Sequence, residues 1–125
     1  MLKKYDPMKA PDPHEWMALD EMERIEHVLH YHRGARVELP NEHLHAVIHV
    51  VVENQAAIGE QTPVAATLER LVDEGLDRHE AVHAVGSVLA KYILEVSGKG
   101  EGDLNEYFNE VNQLTAQGWL ESWHE

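Results

Sequence analysis

Apolar residues recur every three to four positions along most of the chain, the spacing of helices that bury one face. Residues 1–12, with Pro7, Pro11 and Asp12, break that pattern and read as an extended arm. Asp12 before Pro13 is a cap and first-turn signal for a short helix bearing Trp16 and Met17. Asp20 and Glu23 make an Asp-x-x-Glu capping box that opens a second helix. Its apolar face is Met22, Ile25, Val28 and Leu29, and Gly34 ends it. A short extended connection over 35–40 closes at Pro40. Further on, Thr62-Pro63 starts a helix with Val64, Leu68, Leu71 and Val72 inward and Gly75 as its stop. Asp77 and Glu80 open the next, which runs to about Val96 with His79, Val82, His83, Gly86, Leu89, Ala90 and Ile93 inward. Residues 98–102 form a flexible break. Asp103 and Glu106 open a C-terminal helix over 103–118, and 119–125 is a tail.

Between these lies Asn41 to Gly59, the stretch around which the rest is organised. Ala46, Val47, Ile48, Val50, Val51 and Val52 make it apolar on nearly every side, which marks a buried helix. The β-branched run also admits a buried strand. The absence of Gly and Pro between the two ends, with Asn41 as a cap and Gly59 as a stop, favours helix. The architecture expected is all-α, a compact single-domain bundle of about five to six helices with its core in 13–97.

Composition narrows the function. Hydrophobic residues are 43% and charged residues 26% of the 125, as in a soluble globular domain. The net charge of −13 argues against nucleic acid and anionic membrane surfaces as partners. No apolar run is long enough to span a bilayer, and no secretory leader is evident, so a cytoplasmic location is expected. There is no cysteine, so any metal site must use His, Asp and Glu.

The ten histidines carry the chemical interest. His45, His49 and Glu53 recur every four residues and form a polar stripe along the apolar central helix. His79 and His83 repeat the spacing on the fifth helix. If neighbouring helices run antiparallel through short loops, the second helix ends where the central one begins, and the fifth starts at that same end. His45 then stands about 6 Å along its helix and His79 about 3 Å along its own, so the pairs are level. Two facing pairs supply the imidazoles of a site for one divalent metal, with zinc first and nickel or iron as alternatives. In this reading His45, His49, His79 and His83 are ligands, while Glu53 and His32 orient them from behind. The competing reading is a metal-free interaction module. The histidines are then core hydrogen-bonders, and Trp119 and Trp123 in the tail pack on the body, a protein partner or a second copy of the chain.

His79-Glu80-Ala81-Val82-His83 is also a literal H-E-x-x-H, which resembles the zinc-peptidase motif and would make Glu80 the catalytic base. Three features weigh against it. Leu89 stands where those peptidases place a third histidine, Glu80 already serves the cap of its helix, and no sheet precedes it to hold a peptide. Whether the chain is an enzyme stays open.

The combination N-x-x-L-H-x-x-x-H-x-x-x-E-x-Q, on Asn41, Leu44, His45, His49, Glu53 and Gln55, with G-L-D-R-H-E-A-V-H from Gly75 to His83, resembles a family of small uncharacterised bacterial proteins. The resemblance covers residues 12–97. It implies an all-helical cytoplasmic domain with no assigned activity.

Overall fold

The computed structural model describes residues 2–34, 41–99 and 102–122. Among these residues seven α-helices follow in order: α1 Pro13–Ala18, α2 Glu21–Gly34, α3 Glu42–Ala57, α4 Val64–Asp73, α5 Arg78–Lys99, α6 Leu104–Gln113 and α7 Ala116–Ser122. A 3-10 turn at Gly59–Gln61 joins α3 to α4, and no strand occurs among the described residues. None of these helices is long and apolar enough to cross a membrane.

Side-chain caps set most of the starts. Asp12 Oδ1 accepts from the Glu15 amide, and Asn41 Oδ1 from the Leu44 amide. The Asp20–Glu23 box is complete: the Glu23 amide donates to Asp20 Oδ1 at 2.8 Å and the Asp20 amide to Glu23 Oε1 at 3.1 Å. At Asp77 only half a box forms. The Glu80 amide donates to Asp77 Oδ1, but the Glu80 carboxylate turns instead to the Trp119 indole. Gly59 and Gly75 take φ of +63° and +117°, the left-handed region that ends a helix cheaply only at glycine.

The helix reading of Asn41–Gly59 holds, and tertiary packing explains its apolar circumference. α3 packs against α1, α2, α4 and α5. One core cluster, with Val52, Val64, Leu68, Leu71, Val82, Val85, Leu89, Tyr107 and Val111, lies on its α4–α5–α6 side. The other, with Tyr5, Trp16, Leu19, Ile25, Val28, Ala46 and Val50, lies between α3, α2, α1 and the N-terminal arm. The arm is therefore part of the core, since Tyr5 is only 1% exposed.

Several expected details shift. α5 continues through Gly98 to Lys99, because a glycine inside a helix weakens it without breaking it. The single helix expected over 103–118 is two, parted at Leu114 and Thr115. Thr115 Oγ1 accepts from the Gly118 amide and restarts the chain as α7, which takes in Trp119 and Leu120 from the expected tail. This division brings the helix count among the described residues to seven, above the five to six expected. Met22, Val72 and Ile93, expected inward, are 60%, 41% and 39% exposed. The connection over 35–40 and Trp123 lie outside the described residues.

Candidate metal centre

The last turns of α2, the first half of α3 and the first turns of α5 meet at one place, and each brings histidines. From α2 comes His32, from α3 His45 and His49, and from α5 His79 and His83. His32 and His49 are buried; the other three are partly buried at their outer edges. Yet Nε2 of all five is buried and has no hydrogen-bond partner. His32, His45, His49 and His83 each offer a ligand atom lying within 4.8 Å of the others. An ion with bonds of about 2.0–2.1 Å holds its nitrogens about 3–4 Å apart, depending on its geometry, so ring rotations would close this set on one ion.

Two of the rings are locked from behind. His32 Nδ1 lies 2.9 Å from the Val28 carbonyl, one turn back in its own helix. A carbonyl only accepts, so Nδ1 carries the proton and Nε2 the lone pair. His49 reaches the same tautomer through a longer chain. The Tyr5 hydroxyl donates to Glu53 Oε2 at 2.6 Å, which leaves its oxygen to accept from His49 Nδ1 at 3.2 Å. Glu53 is held by Arg78 in a bidentate pair at 2.8 and 2.7 Å, and Arg78 also donates to the Pro7 carbonyl. The sequence Arg78–Glu53–Tyr5–His49 thus ends in a lone pair aimed at the other imidazoles.

Electrostatics keeps the rings of His45, His49, His79 and His83 neutral. Burial, and then the neighbouring imidazoles, push His45 and His83 down to about 4. Burial and His32 do the same for His79, and His49 is driven lower still. Neutral imidazole is the form that binds metal. Tyr5 is pushed well above the usual tyrosine range by burial and by the Glu53 charge, so it stays a hydrogen-bond donor.

Of the four histidines singled out as ligands, the structure gathers His45, His49 and His83 into the set with mutually close ligand atoms, and His32, which the sequence reading had orienting others, takes the fourth place. His79 falls outside that set, although its ring stands 4.3 Å from that of His83. Glu53 lies behind His49, across Tyr5. Tyr5 and Arg78 were missed: they reach the site from 44 and 25 positions away from their partners, and nothing local marks them. Glu80 sits outside the convergence. Its Oε2 accepts from Trp119 Nε1 at 2.8 Å, and its other oxygen stands 3.9 Å from Nδ1 of His83, the nitrogen opposite the metal-facing one. That is a poor place for a base acting on metal-bound water. A cleft of about 570 Å³ between the arm, α3 and α4 is lined by Arg78 and Glu53 but by no histidine.

No curated protein and no solved structure is significantly similar to the chain. A family model described as "Domain of unknown function (DUF1841)" matches residues 11–113, from the approach to α1 to the end of α6, beyond the 12–97 of the resemblance. That span holds all five histidines, Glu53 and Arg78, while Tyr5 lies before it. With most of its length matched, the chain belongs to the DUF1841 family.

Proposed function

We propose that this protein binds one divalent transition-metal ion between α2, α3 and α5, with His32, His45, His49 and His83 at the heart of the ligand set. The observation that carries the reading is the set of buried, unpartnered Nε2 atoms. A buried polar atom without a partner costs about 1–3 kcal/mol, and native proteins contain few of them. Several converging on one space are explained together by a single ion. The outer hydrogen bonds of His32 and His49 support it further, because metal-bound imidazoles characteristically donate their other N–H to a carbonyl or an acidic network.

A self-satisfied histidine network is the competing explanation, and the same atoms weigh against it. In such a network the inner nitrogens would be bonded to carboxylates or carbonyls, yet Glu53 and Glu80 are both engaged elsewhere. The test is elemental analysis by plasma mass spectrometry of tag-free protein, with His49→Ala beside it and circular dichroism to confirm folding. About one equivalent of metal, lost in the folded variant, is expected. Protein that is metal-free and also ignores added zinc, nickel, cobalt and iron would refute the proposal.

A further inference from the structure

We infer that the metal is held by five imidazoles in a square pyramid, His49 at the apex and His32, His45, His83 and His79 around the base, with the sixth position open to a small anion. This rests on the metal reading above and assigns its coordination number, its fifth ligand and its exogenous ligand.

With metal–nitrogen bonds of about 2.1 Å and a ring centroid about 1.15 Å beyond the nitrogen, neighbouring octahedral ligands hold their rings about 4.6 Å apart; tetrahedral ligands hold them about 5.3 Å apart and opposite ligands about 6.5 Å. His49 approaches all four other rings, at 4.9 Å from His32, 4.8 Å from His45, 5.2 Å from His79 and 5.2 Å from His83. The other four close a circuit: His32–His45 4.8 Å, His45–His83 5.0 Å, His83–His79 4.3 Å and His79–His32 5.6 Å. Among the described residues, the two diagonals of that circuit, His32–His83 and His45–His79, are not in ring contact. One vertex beside all the others, and a base whose diagonals are its only distant pairs, is the connectivity of a square pyramid. A tetrahedron of His32, His45, His49 and His83 would instead bring His32 and His83 as close as any other pair. Their ligand atoms, within 4.8 Å, also suit opposite positions, for which bonds of about 2.1 Å give about 4.2 Å.

His79 stands outside the four whose ligand atoms lie within 4.8 Å of one another, but its Nε2 is buried and unpartnered like theirs, and rotation of its ring toward His49 would bring it in as the fifth ligand. No carboxylate fills the sixth place: Glu53 faces Arg78 and Tyr5, and Glu80 faces Trp119. Five neutral ligands leave both charges of the ion uncompensated in a dry surrounding, and that charge favours an anion at the open position. The geometry selects iron(II), cobalt(II) or nickel(II), which take five or six ligands, over four-coordinate zinc.

The experiment uses the full chain loaded with cobalt(II). X-ray absorption of the unmutated protein counts imidazole nitrogens without recourse to a variant. The optical spectrum of His79→Ala and an azide titration of both proteins complete it. Five imidazoles are expected, falling to four in His79→Ala with a several-fold stronger visible band, and azide should add one equivalent to the unmutated protein. Four imidazoles, with a spectrum indifferent to His79→Ala, would remove His79 and the pyramid while leaving the metal proposal standing. Five imidazoles inert to azide would overturn the open position. Failure to bind cobalt, zinc, nickel or iron at all would bring down both readings.

Discussion

Tyr5→Phe separates the site from the scaffold behind it. The change deletes one oxygen that donates to Glu53 at 2.6 Å and accepts from His49 at 3.2 Å, in a residue 1% exposed. Glu53 keeps both bonds from Arg78, so its charge stays paired and the loss on that side is one charge-assisted hydrogen bond, about 1.5–3 kcal/mol. On the other side His49 loses the acceptor that holds its proton on Nδ1. Removing such an outer partner lowers metal affinity about 10- to 100-fold, equivalent to about 1.4–2.7 kcal/mol. Urea denaturation of the metal-free protein reads the first quantity, and competition against a fluorescent chelator reads the second. Both should fall. A variant that loses stability but binds metal as tightly as the unmutated protein would show that Tyr5 only fills the core, and the tautomer argument for His49 would fail.

Three further outcomes follow from the packing and charges. Arg78→Met leaves the fully buried Glu53 carboxylate with Tyr5 alone, so urea denaturation should show a loss of about 3–5 kcal/mol, partly recovered in Arg78→Met/Glu53→Gln; a loss below about 1 kcal/mol would mean the pair is hydrated. Gly86→Ala places a Cβ 2.9 Å from Cγ2 of Ile48 on α3, and this β-branch methyl cannot swing aside. Overpacking of about 1–3 kcal/mol should outweigh the helix gain of up to about 1 kcal/mol, so thermal melting should show a lower Tm; a higher Tm would refute the close α3–α5 contact. Metal-free protein should lose stability as pH falls from about 6.5. His45, His79 and His83 ionise in the folded chain only near 4, while in the unfolded chain they take protons at ordinary values. Their contribution is complete above 6.5 and drains away down to 4, so urea midpoints that stay flat between pH 7 and 5 would contradict it.

Local rules carried much of the fold. The caps at Asp12, Asp20 and Asn41 and the left-handed glycines at 59 and 75 act within a few residues of themselves, so they are visible in the chain as written. The break at Thr115 is legible in principle, since threonine is a favoured cap and its hydroxyl accepts from an amide three residues on, but the Asp103–Glu106 pattern favours one longer helix. Glu80 shows the limit of such patterns. Its amide obeys the capping box, while its carboxylate is drawn away by a tryptophan 39 positions distant.

The histidine pairs on α3 and α5 were determined by the sequence itself, because an i,i+4 spacing sets two side chains on one face of a helix whatever surrounds it. Their meeting was foreseeable from short connections between antiparallel helices. Tertiary structure alone decided that His32 turns inward as an equal member, that Tyr5 returns from the N-terminal arm to fix His49, and that Arg78 neutralises Glu53. Each of these depends on which helices cross and at what rotation. That is settled by the packing of whole faces and not by any short run of residues.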